Sequence, residues 1–286
     1  MNCSVEVTVA PGSHWGLQPA SGFLQPLWDR VTSKEQIIRS PLYPVIFSFT
    51  VYMAFCIPYL ALDLLCHKLP ALKKYQVQPK SRPSLSMILH CLAHTVYSHL
   101  VFIFPVTIAY WYWRPVQLPP VAPELHRFIL DIIASLLLFD FQYFAWHLLH
   151  HKVPWLYKNF HKMHHKYTAT FVLATQYSSA WEMLSLGFFA NVSPILLGCH
   201  PMTEMAIFII HIYLSVEDHC GYDFPWSTHR LVPFGLCGGP SHHDLHHEKF
   251  VSNYAPYFTH WDKLFNTLAR QKVKEPIAYS QYSKTE

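Results

Sequence analysis

Three long apolar runs set the first constraint on this chain. They extend from Pro44 to Leu65, from about Leu85 to Trp113 and from about Phe128 to Leu149. As helices, each is long enough to cross about 30 Å of hydrocarbon. Lipid supplies no water to an unpaired backbone, so a run of this kind crosses as a helix or not at all. Pro58 lies inside the first run and should kink it, which lipid-embedded helices tolerate. A fourth, weaker stretch, 183–216, is broken by "NVSP" and by Gly198–Pro201. It reads as two short helices or a re-entrant hairpin, or else as two full spans. The expected fold is therefore an all-α integral membrane protein with about four transmembrane helices. Charged residues make up only 13% of the chain, against about 25% in a soluble domain. A net charge of +4 with no dense basic stripe gives no footprint for nucleic acid.

Loop charge sets an expected orientation. The segment from Cys66 to Pro83 carries Lys68, Lys73, Lys74, Lys80 and Arg82, whereas Arg114 to Arg127 carries only those two arginines. The first loop should be cytosolic and the second lumenal. Residues 1–40, which show no signal-peptide pattern, then form a lumenal leader, with Asn2 in a glycosylation sequon. Residues 41–286 form the membrane domain, with cytosolic regions at 147–182 and 217–286. Seven cysteines without a C-x-x-C pair suggest free thiols rather than a disulfide framework or zinc ribbon.

Ten of the 21 histidines fall in three short strings, "WHLLHHK", "FHKMHHK" and "SHHDLHHE". On a helix, positions i, i+3 and i+4 share a face. That spacing groups His147 with His151, then His161, His164 and His165, and finally His243, His246 and His247. A tetrahedral zinc takes four ligands, so eight convergent imidazoles point to two metals, or to one metal with redundant donors. Imidazole suits Zn, Cu, Fe and Ni alike, and ligand type alone does not name the metal. All three strings fall on one side of the membrane in the orientation above, as a common site requires. His150 and His242 stand off the shared faces and read as supports for ligands or as ligands themselves. Asp140 lies seven residues before His147 inside an apolar run. Ionisable groups there are costly and usually paired, so it is expected to accept a hydrogen bond from a ligand histidine. Glu217, Asp218 and Asp244 are further candidates for that role.

The boxes H-x-x-x-H, H-x-x-H-H and H-x-x-H-H resemble those of the fatty acid hydroxylase / sterol desaturase superfamily. The strings that carry the resemblance are "WHLLHHKVPWLYKNFHKMHH", "LSVEDHCGYDFPWSTHRLVPFG" and "HHDLHHEKFVSNYAPYFTHWDKLF". The resemblance implies a cytosolic helical cap holding two non-haem iron ions and a location in the endoplasmic reticulum membrane. It also implies O2-dependent hydroxylation at an unactivated carbon of the tail of cholesterol or a related sterol drawn from membrane lipid. It adds His219 to the ligand set, and it places Ser215 where the fatty acid branch has a histidine. No "HPGG" string and no G-x-G-x-x-G loop occurs. Electrons derived from NADPH would then come from a separate reductase, through a cytochrome-b5-type carrier in one version.

Other readings share these residues. A sterol desaturase or sterol methyl oxidase would use the same boxes. A metal transporter draws some support from His90, His94, His99 and Asp140, which lie within the runs. A regulatory sterol-binding protein with a structural metal is a third.

Overall fold

The computed structural model describes residues 22–269 except 66, 67 and 69. The sequon at Asn2, most of the leader, and the tail from residue 270 lie outside the described residues. The described chain is helical throughout, with only two isolated bridges, Gln76 to Tyr222 and Cys237 to Phe258.

A short helix α1 (Gln25–Thr32) precedes three helices long and apolar enough to cross a membrane: α2 (Tyr43–Leu65), α3 (Leu85–Trp113) and α4 (Leu125–Lys152). Pro58 sits inside α2 without ending it. In α3 the ladder widens into a π turn at His99–Ile103 immediately before Pro105. Proline has no N–H for the i−4 carbonyl, and a wider turn accommodates that gap within a continuous helix. At 28 residues, α4 is longer than the apolar run suggested. About 20 residues suffice for the bilayer, so its last turns, from His147 to Lys152, can stand clear of the hydrocarbon.

The fourth stretch is divided into two helices, α5 (Ala180–Leu196) and α6 (Pro201–His219). The break falls where Gly198 adopts φ +63° and Pro201 starts the next helix. Both helices pack on α4 and on each other. A bidentate pair between Arg114 and Glu204 (2.8 and 3.1 Å) ties the end of α3 to the start of α6. Large side chains such as Ile46, Ile57, Leu89, Leu130 and Ile133 point outward from the three long helices. Outward apolar side chains are what lipid-facing surfaces require. Beyond α4, the chain forms α7 (Gly239–Lys249), α8 (His260–Leu264) and loops that close over the end of α4. Cys56, Cys91, Cys199 and Cys220 are buried free thiols and Cys237 is partly buried.

Candidate metal centre

Nine histidines converge in two adjoining groups. His147, His151, His161, His165 and His246 form one; His164, His219, His243 and His247 form the other. Within each group the ligand nitrogens lie within 4.8 Å of one another. The groups abut where the His165 and His247 rings approach to 4.6 Å.

Local geometry explains how three strings fill two groups. Neighbouring residues of a helix point about 100° apart at 3.6 residues per turn. The pairs His147/His151, His161/His165 and His243/His247, each i and i+4, therefore stay together. His164 and His246 each diverge to the other group. The three histidines of the second string do not share one helical face as the spacing suggested. They sit on a π turn (Tyr157–His161) followed by a 3-10 turn (His164–Lys166).

Backbone carbonyls fix the protonation of four rings. Nδ1 of His147 donates to Tyr254 O (2.7 Å), His246 to Ser252 O (2.7 Å), His219 to Ser215 O (2.8 Å) and His247 to Tyr167 O (3.2 Å). A carbonyl only accepts, so Nδ1 carries the proton and Nε2 the lone pair. Yet these Nε2 atoms face other Nε2 atoms at 2.9 to 3.2 Å. Nε2 of His161 faces those of His147, His151 and His165 at once, at 2.9, 3.0 and 2.9 Å. One ring nitrogen cannot serve three such neighbours with hydrogen bonds. Nitrogens at about 2.1 Å from one cation are spaced about 3 Å apart when they meet near right angles, so the geometry fits a cation inside each group. Burial strengthens the case. It pushes His161, His164 and His246 down to about 3 and His219 to about 4, which keeps the rings neutral and their lone pairs free.

Carboxylates support this arrangement mostly at one remove. Asp140 does not accept from a histidine. Its Oδ1 takes the N–H groups of Tyr257 (2.9 Å) and Phe258 (3.1 Å), because the returning loop packs closer to it than any imidazole. Asp262 takes Tyr254 N–H (2.8 Å) and Ala255 N–H (3.0 Å). Together they pin the segment whose carbonyls hold His147 and His246. Asp244 takes Thr170 N–H and hydroxyl and Gln78 Nε2, bracing the loop that holds His247. Glu217 accepts from Tyr213 and Thr228. The direct contact belongs to a residue that sequence reasoning missed: Glu182 Oε1 lies 3.1 Å from His161 Nδ1.

His150 and His242 join neither group. His150 stacks on Trp146, donates Nδ1–H to the Trp146 carbonyl and accepts Trp181 Nε1–H. His242 Nε2 faces Asp262 at 3.5 Å. In α3, His90 meets the Tyr177 hydroxyl (3.0 Å) and His94 the Ser178 carbonyl (3.0 Å), whereas His99 turns back to Thr95 O. They do not continue the metal groups into the membrane.

A cavity opens onto the four-histidine group. Phe139, Tyr143, Leu186 and Pro256 give it apolar walls, and Ser215, Tyr257, Asp218 and Glu182 add polar atoms; His164, His219 and His243 close one end. No histidine of the other group lines it. Ser215 Oγ contacts the Tyr257 hydroxyl (3.1 Å), which also lies 3.3 Å from His211 Nδ1.

Bilayer-length helices carrying paired histidine groups beside a mostly apolar cavity define a membrane oxidation enzyme of the histidine-box class. Comparison with known proteins agrees. Residues 132–267 match the fatty acid hydroxylase family. A cholesterol 25-hydroxylase-like protein of Danio rerio is 61% identical over 245 residues, 86% of this chain and 98% of the relative. Cholesterol 25-hydroxylases of Homo sapiens and Mus musculus are 55% and 53% identical, over 88% and 89% of this chain and 92% and 85% of theirs. The chain belongs to the fatty acid hydroxylase family, in the branch of the cholesterol 25-hydroxylases and their like proteins, and is a membrane hydroxylating monooxygenase. No solved structure matches it.

Proposed function

We propose that this enzyme hydroxylates the tail of cholesterol at carbon 25, giving 25-hydroxycholesterol, with dioxygen and electrons supplied from outside. The observation that carries the reading is the placement of the cavity. It opens onto the four-histidine group alone, at the end of helices whose outer faces suit lipid. The names of the most similar relatives supply the substrate and the position.

In this reading, the nine histidines hold two iron ions, five ligands on one and four on the other. An all-imidazole donor set suits iron as well as zinc or copper, and two irons bound there would supply the activation of dioxygen. The protein's own residues do the rest. Phe139, Tyr143 and Leu186 hold the apolar tail and keep water away from the reacting carbon. Ser215 and Tyr257 offer hydroxyls at the wall beside His219. The four-histidine group, which borders the cavity, would hold its metal with fewer imidazoles than its neighbour. Electrons derived from NADPH arrive through a separate reductase, with a cytochrome-b5-type carrier as the natural intermediary. The protein resides in the endoplasmic reticulum membrane with the centre toward the cytosol, where the basic loops before α3 and after α4 also lie. The sequon at Asn2 would then be lumenal.

Incubating the iron-loaded protein with cholesterol, dioxygen and an electron donor, with mass spectrometry of the product, tests this. One added oxygen in the side chain supports it. Loss of two hydrogens makes the enzyme a desaturase, and oxidation at a ring methyl makes it a sterol methyl oxidase.

A further inference from the structure

Beside the three long helices, a loop exposes large apolar side chains on the membrane side of the metal centre. Phe234 is 89% exposed, Leu231 70% and Leu264 67%, and Trp226, Leu236 and Phe265 are also exposed. Phe234 holds φ +62°, a left-handed conformation uncommon for a bulky residue. The fold thus accepts an unfavourable backbone to direct this ring outward.

The height of the loop can be read against α4. Trp261 packs on Phe141 (4.8 Å) and Phe265 on Phe144 (5.1 Å). Phe141 and Phe144 lie six and three residues before His147, so about 9 and 4.5 Å deeper along the helix at 1.5 Å per residue. The loop is fastened at this level. Thr259 N–H donates to Leu236 O, Thr259 hydroxyl and Lys263 Nζ donate to Gly235 O, and Gly238 N–H donates to Tyr257 O. Phe141 is itself exposed on the outer face of α4. The patch is therefore continuous with the lipid-facing surface of a spanning helix.

Its rim has the chemistry of a headgroup layer. Lys263 is exposed and bonds a neutral carbonyl, Arg230 precedes Leu231 in the chain and forms a bidentate pair with Asp223, and Trp226 is exposed. Basic and indole side chains around an apolar tip are what an interfacial anchor presents to phospholipid.

We propose that the Leu231–Leu236 loop, with Leu264 and Phe265, is seated among the acyl chains of the leaflet on the metal-centre side, as a membrane contact additional to the three long helices. The inference rests on the membrane reading of those helices and is independent of metal and reaction. Gly238 and Leu236 bond the 257–259 segment, and Tyr257 lines the cavity, so the seated loop adjoins the wall that the sterol tail meets.

The test places photoreactive benzoylphenylalanine at position 234 of the full-length protein in native membranes, with Lys158→benzoylphenylalanine on the exposed cap as reference. After illumination, peptides carrying the label are analysed by mass spectrometry. Phospholipid adducts that dominate at 234 and are absent at 158 are expected. Crosslinks from 234 to a second copy or to another protein, no lipid adduct at 234, or equal lipid adducts at both positions overturn the proposal. Neither metal loading nor turnover enters the readout, so a failure here leaves the hydroxylase reading untouched, and the reverse.

Discussion

Glu182 Oε1 lies 3.1 Å from Nδ1 of His161, and neither side chain reaches solvent. Glu182 is the third residue of α5, whose N-cap Ser179 accepts the Glu182 N–H. The string "SAWE" reads as a capping box, in which the glutamate would bond back to the cap. Here the carboxylate turns to the histidine instead. The two groups form a buried close contact beside the ring, while Nε2 faces its three neighbours.

Burial pushes the Glu182 carboxyl up to about 7, and replacing it with an amide of the same shape should loosen the five-histidine group. Glu182→Gln is expected to lower metal affinity about 10–100-fold, the usual cost of losing a group that orients a ligand. Chelator titration of the purified protein measures it, with circular dichroism to confirm an intact fold. An affinity equal to that of the parent would detach Glu182 from the centre.

Adjacent histidines of one string should behave oppositely. His147→Ala removes a nitrogen from the five-histidine group and is expected to reduce bound metal and abolish turnover. His150→Ala removes only a ring that stacks on Trp146 and accepts the Trp181 indole N–H. It should cost about 1–2 kcal/mol of stability and keep the metal. Metal analysis beside thermal unfolding separates the two; metal loss in His150→Ala would place that ring among the ligands.

Much of this was legible before the structure. Apolar length marked the three long helices, and the break at Gly198–Pro201 foretold that the fourth stretch is divided. The histidine spacing singled out eight of the nine side chains that meet, and the family resemblance added His219. The partition between two groups was not legible, because a shared helical face was assumed where the chain runs through π and 3-10 turns. The supports were obscured for another reason. Asp262 and Asp140 act on backbone N–H groups more than a hundred residues from the histidine they ultimately steady, and side-chain patterns carry no trace of such contacts. Glu182 lies 17 residues after His165, and its spacing from Ser179 fits a capping box, so the sequence pattern does not point it at the centre.

Acid should weaken the metal-free protein in a defined window. Burial holds His161, His164 and His246 at about 3 and His219 at about 4, below the ordinary value of 6.5. Between those limits the unfolded chain binds protons that these four buried rings refuse in the folded chain, so their contribution to stability falls as pH drops below about 6.5. Metal competes with protons for the same nitrogens and should shift the loss to lower pH. Thermal unfolding from about pH 8 to about pH 4.5, with and without metal, reads both curves. A metal-free curve that stays flat through the acid half would contradict neutral, buried imidazoles.

Filling the cavity should separate substrate binding from metal binding. Leu186 lines it between Phe139 and Glu182 but belongs to neither histidine group. Leu186→Trp would occupy the space assigned to the sterol tail. Overpacking of this kind costs about 1–3 kcal/mol. Felt at the reacting complex, that corresponds to a fall in kcat/KM of roughly tenfold or more, at about 1.4 kcal/mol per factor of ten. Metal content should stay at the parent's level, because the nearest ligands, His164, His219 and His243, come from other elements. Steady-state kinetics with cholesterol in vesicles, beside metal analysis, gives the answer. Unaltered kcat/KM in a correctly folded, metal-replete variant would mean that the tail reaches the centre by another route.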